Sequence, residues 1–143
     1  MSGNIQIISN EYYGDISCTI KELKIGEETW RYSVSGSGNK VMLALLSNVV
    51  GHYLALPLIE QFKDEYQVIA LSVPPLPSFS LSGIGLAAIL KEEGVKSCDA
   101  IGHSNGGVHI QNLIKCRPEL VNKIIFSHSL TSLTRRDADT FQC

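Results

Sequence analysis

A chain of 143 residues fits one domain and is long enough to bury roughly two thirds of its unfolded surface. Its 44% hydrophobic and 18% charged residues describe an ordinary globular protein. The net charge of −2, without a basic stripe, leaves no footprint for nucleic acid, and no apolar run approaches the ~20 residues that cross a bilayer. The first 15 residues lack the basic and apolar regions of a secretory leader and are expected to form a flexible segment. Residues 19–25, T-I-K-E-L-K-I, and 29–34, T-W-R-Y-S-V, alternate apolar with polar positions on either side of Gly26-Glu27-Glu28, which predicts an antiparallel hairpin. Gly36-Ser37-Gly38-Asn39 then turns the chain.

Beyond the turn the pattern changes. Residues 41–46, 68–71, 98–101 and 123–126 are short, nearly continuous apolar runs, as expected of strands buried on both faces of a parallel sheet. Three helices are predicted between them. Residues 54–62 carry Pro57 in a first turn. Residues 81–93 lie between Ser80 as N-cap and Gly94 as the residue past the end. Residues 108–116 stop before Arg117-Pro118. The expected fold is α/β: a mostly parallel sheet with an N-terminal antiparallel hairpin, helices on both faces, and right-handed crossovers. Residues 1–143 read as a single domain, with Pro74-Pro75-Leu76-Pro77-Ser78 a stiff loop within it. Cys18, Cys98, Cys116 and Cys143 are too scattered for a redox or zinc motif, so a reducing cytoplasm is the expected setting. No histidine–carboxylate cluster has metal-ligand spacing, and no cofactor is expected.

The chemistry concentrates at Gly102-His103-Ser104-Asn105-Gly106, a match to G-x-S-x-G. A predicted strand ends just before it and a predicted helix begins just after it. A serine on that sharp turn exposes its hydroxyl at the carboxyl edge of a sheet. The flanking glycines relieve backbone crowding, and the helix N-terminus favours developing negative charge. Ser104 is therefore the candidate nucleophile, and the Asn105 N–H a candidate oxyanion donor. A glycine-rich turn with a serine N-cap is the plainer reading of the same residues.

The I-G-H-S-N-G-G stretch resembles the G-H-S-x-G-G elbow of the α/β-hydrolase fold. Residues 109–129 resemble the helix and sixth strand of its maspardin-like members, and residues 66–75 their fourth strand and Pro-Pro loop. The likeness runs from about residue 16 to residue 131. It implies a serine hydrolase acting on a small ester-like or amide-like carbonyl, with a second oxyanion donor from Asn48 or Val49 in Ser47-Asn48-Val49-Val50-Gly51-His52. It also implies a truncated fold ending after the sixth strand, because the family's acid and base follow later strands. That places the last strand at an exposed edge, so either the sequence is a fragment of a longer protein, the favoured expectation, or a partner chain or second copy covers that edge.

Four histidines are candidates for the missing base. The resemblance turns His103 away from the hydroxyl, and His109 falls on the face of the next helix. His52 and His128 are site-lining candidates, His128 because it follows the last strand beside Ser104. Asp137 and Asp139 follow that strand as well, where a solvated tail is the default. Because the same fold also serves interaction without chemistry, a non-catalytic binding protein is the rival expectation. Gly83-Ile84-Gly85-Leu86-Ala87-Ala88 fits a dinucleotide fingerprint but does not directly follow a strand, so helix packing explains it better.

Overall fold

The structure is a computed structural model that describes residues 5–46 and 51–130. Among these residues seven strands form one sheet: β1 (Gln6–Tyr13), β2 (Ile16–Ile25), β3 (Glu28–Ser35), β4 (Lys40–Leu45), β5 (Tyr66–Leu71), β6 (Cys98–His103) and β7 (Val121–Ser127). Three α-helices connect the later ones: α1 (Leu56–Phe62), α2 (Leu81–Glu92) and α3 (Asn105–Cys116). The strand order is β1-β2-β3-β5-β4-β6-β7. The first three strands and the β3–β5 pair are antiparallel, and β5-β4-β6-β7 run parallel. This is the mostly parallel sheet with an N-terminal hairpin that the sequence predicts.

One expectation needs correction. The first 15 residues are not simply a flexible segment, because Gln6–Tyr13 pairs along β2. The last described strand is therefore the seventh in chain order, one more than the sequence reading counts. Tight two-residue turns join the first three strands, with Gly14 at φ 64° and Gly26 at φ 62° taking the first central positions. Those positive angles suit glycine and match the twist of a hairpin.

The central strands show why continuous apolar runs signal burial on both faces. Leu43, Leu45, Ile69 and Leu71 pack with Trp30, α2 and α3 on one face. Ala44, Val68 and Ala70 alternate with them and pack with Ile59 of α1 on the other. Adjacent residues in a strand point to opposite faces, so each face needs its own cover.

The ends of α1 and α2 follow the predicted punctuation with two differences. A 3₁₀ turn (Gly51–Ala55) precedes α1, so the α-helix begins two residues later than its pattern suggests. Ser80 stands at the N-cap of α2 but makes no side-chain cap; its hydroxyl is 2.7 Å from that of Ser78. At the other end Val95 N–H donates to Leu90 and Gly94 N–H to Lys91, with Gly94 at φ 70°. This paired closure satisfies two orphan carbonyls. Gly83 and Gly85 of the dinucleotide-like match are packing residues, since a Cβ at Gly85 would lie 2.0 Å from the Trp30 ring and one at Gly83 2.5 Å from the Asn112 carbonyl oxygen.

β7 is an open edge. Ile124, Ile125 and Phe126 are 39%, 62% and 47% exposed. An apolar groove of about 580 Å³ lies beside it on the α1 face, lined by Leu58, Phe62, Ile101 and Ile125. A second, of about 450 Å³, lies on the α3 face between Ile114 and Phe126.

Candidate active site

The chain leaves central β4 toward β5 on one side, then crosses to β6 on the other. The carboxyl ends of β4 and β6 thus flank the point where strand order reverses, the usual place for ligands in open α/β sheets. Ser104 sits there, between the last residue of β6 and the first of α3. The predicted helix over 108–116 in fact starts at Asn105, directly after the serine. The intervening glycines carry helix rather than loop.

Ser104 has φ 54° and ψ −125°, a conformation that L-residues seldom adopt. It is exposed. Its N–H donates to the Ser127 carbonyl at 3.0 Å, and its carbonyl accepts from the Gly107 N–H at 3.1 Å. These two bonds tie the strained residue to β7 and to the helix it begins. The surrounding glycines are required by contact. A Cβ at Gly102 would come within 2.6 Å of Gly107 backbone atoms, and one at Gly106 within 2.0 Å of the Leu45 carbonyl oxygen. A Cβ at Gly107 would meet Ser129 Oγ at 1.9 Å.

Because strain of this kind costs of order 1–3 kcal/mol, Ser104→Gly should stabilise the protein. A net gain of about 1 kcal/mol is expected after glycine's entropic penalty. Equilibrium denaturation measures it, and an unchanged or lower midpoint would mean the turn is not strained as described.

Asn105, at the first helical position, presents an N–H that no intrahelical carbonyl can accept. Asn48 and Val49 lie outside the described residues, as do Asp137 and Asp139. His52 falls in the 3₁₀ turn before α1, with its side chain outside what is described. Among the described residues no hydrogen bond joins the Ser104 hydroxyl to a histidine.

His128 and His103 meet instead at Ser127. The Nδ1 of His103 is 3.2 Å from Ser127 Oγ, and the Nδ1 of His128 is 3.4 Å from it. The two ring centroids are 5.7 Å apart at 63°. His128 itself takes φ 48°. Ser127 is a residue that motif reasoning misses, because only the parallel β6–β7 register sets it opposite His103. Gln111 donates to the Leu130 carbonyl at 2.8 Å and holds the segment after β7 against α3.

His109 is not part of this edge. It is 4% exposed on α3, stacked 5.1 Å from the Phe79 ring at 8°. Burial pushes its imidazole down to about 4, and its Nδ1 has no hydrogen-bond partner among the described residues. Burial likewise pushes the Cys98 thiol up to about 12, consistent with an inert core residue.

No protein-family model matches the chain, and neither does any curated protein. Solved structures do. Cfl2 from Burkholderia cenocepacia superposes with a TM-score of 0.72 at 12% identity, over 88% of this chain and 49% of that one. A hydrolase from Pseudomonas aeruginosa gives 0.69 at 19% identity, over 86% and 49%. Naproxen esterase from Bacillus subtilis gives 0.62 at 20% identity, over 77% and 42%. The chain thus spans about half the length of the structures it matches. No helix among the described residues is long and apolar enough to cross a membrane. Sheet order, elbow and these superpositions together give the chain the α/β-hydrolase fold.

Proposed function

We propose that the protein is a serine hydrolase whose Ser104 attacks a small ester-like or amide-like carbonyl. The observation that carries this reading is the Ser104 backbone, held at φ 54° and ψ −125° between β6 and α3. In the reaction Ser104 Oγ bonds to the carbonyl carbon, its proton passes to a base, and the alcohol or amine departs. Water then releases the acid from the acyl-enzyme. The Asn105 N–H and a second N–H, from Asn48 or Val49, hold the oxyanion, where removing one donor typically costs 10²–10³ in kcat.

A serine hydroxyl is a weak nucleophile without a base. In this reading base and acid come from polypeptide that joins the sheet beyond β7. The exposed β7 edge, its two flanking grooves and the roughly doubled length of the matched structures support that arrangement.

Treatment with a fluorophosphonate, followed by mass spectrometry of the labelled peptide, tests the reading. Label on Ser104, lost in Ser104→Ala, is the expected result. Absence of label on folded protein carrying its full polypeptide would sink it and favour the interaction protein on the same fold.

A further inference from the structure

We infer that His103 and His128 form a two-imidazole site for a borderline-soft divalent cation, zinc being the natural probe. Both rings are exposed at the carboxyl edge of the sheet, and both aim Nδ1 at the one Ser127 hydroxyl. That hydroxyl is their shared partner. It can donate to one Nδ1 and accept from the other only if the second Nδ1 carries a proton and the first does not. A cation bonded to both nitrogens needs no proton between them.

Zinc–imidazole bonds of about 2.0–2.1 Å are shorter than the 3.2 and 3.4 Å that separate the two nitrogens from the Ser127 hydroxyl, so both nitrogens must close on the ion. Rotation of two solvent-facing rings, with centroids already 5.7 Å apart, supplies that approach. The donor set selects the metal. Two imidazoles and a hydroxyl with no carboxylate suit Zn²⁺, Cu²⁺ or Ni²⁺ and not Mg²⁺ or Ca²⁺. Among the described residues no group of three or more histidine, cysteine or acidic side chains converges. Among the described residues, water and Ser127 are what can take the remaining positions on the ion, as in an open and exchangeable site.

The backbone has been bent to build it. His128 stands at φ 48°, unfavourable for a side chain with a Cβ, and the segment behind it is held by the Gln111 bond to Leu130. Strain of this kind persists where surroundings over-determine it, and it clusters at functional sites. His103 adjoins Ser104 in sequence, and Ser127 holds the Ser104 N–H. An ion here sits against the elbow and should slow acylation. This consequence rests on Ser104 being the nucleophile, whereas the site does not.

Zinc titration by calorimetry, with imidazole NMR to identify the ligands, tests the site on wild type, His103→Gln, His128→Gln and His109→Gln. Each of the first two substitutions should weaken zinc binding by about tenfold or more, and His109→Gln, on a ring buried away from this edge, should leave it unchanged. Unaltered affinity in both His103→Gln and His128→Gln, or no zinc binding by wild type in the millimolar range, would overturn the site. Zinc that binds through the pair yet leaves fluorophosphonate labelling of Ser104 unslowed would overturn the effect on the elbow alone. If wild type takes no label even without zinc, that effect falls with the reading of Ser104, and the site is still decided by the titration.

Discussion

Gly106→Ala should destabilise the protein by about 3 kcal/mol, at the upper end of what overpacking costs. The sign opposes helix propensity, which at an open helical position favours alanine over glycine by about 1 kcal/mol. Contact decides it. The new Cβ would lie 2.0 Å from the Leu45 carbonyl oxygen, 2.8 Å from its carbonyl carbon and 2.9 Å from its Cβ. Leu45 ends the central strand β4 and is 2% exposed. The obstacle is largely backbone, so no side chain can swing aside. Either α3 lifts off the sheet or the end of β4 shifts, and both disturb the turn that positions Ser104. Denaturant unfolding should show a lower midpoint with an unchanged slope. A variant as stable as wild type would mean that α3 does not meet β4 as closely as the structure shows.

Acid should weaken the fold through His109. Its folded-state value of about 4 lies below the ordinary 6.5 because burial disfavours the cation. Between those two values the unfolded chain takes up a proton that the folded chain refuses. Stability is therefore complete above about pH 6.5, declines as pH falls toward 4, and loses no more from this group below that. The loss is on the order of 3 kcal/mol, from about 1.4 kcal/mol per pKa unit. Carboxylates titrate in the lower part of this window, so the informative quantity is a difference between proteins. His109→Leu should remove the decline between pH 7 and pH 5 that wild type shows. A constant stability difference between the two across that range would defeat the prediction.

Much of the fold was legible in short stretches. The alternation in T-W-R-Y-S-V produced β3, and the apolar runs became β4, β5, β6 and β7. β1 was not legible, because its alternation is not an apolar one: Ser9, Glu11 and Tyr13 are half-buried while Ile8 and Tyr12 are exposed. The signal that could have found it is Gly14-Asp15, a two-residue turn of the same kind as Gly26-Glu27. At the site, Ser104 and its glycines were readable because the steric demand of the elbow falls on residues within five positions of one another. The histidines were less so. His128 was placed near the carboxyl edge, but it meets His103 through Ser127, which lies 24 residues from His103 along the chain.

What the sequence determined by itself is local. Apolar periodicity set the type of nearly every element, Gly94 closed α2, and G-x-S-x-G demanded a sharp turn that only glycines permit. What the tertiary structure alone decided is which distant segments lie side by side. The order β5-β4-β6-β7 puts the end of β4 under Gly106, Ser127 beside His103, and the apolar side chains of β7 at an open edge. The physical reason is one of range. Backbone sterics and side-chain periodicity act over a few residues, whereas strand order is chosen by how whole faces bury one another.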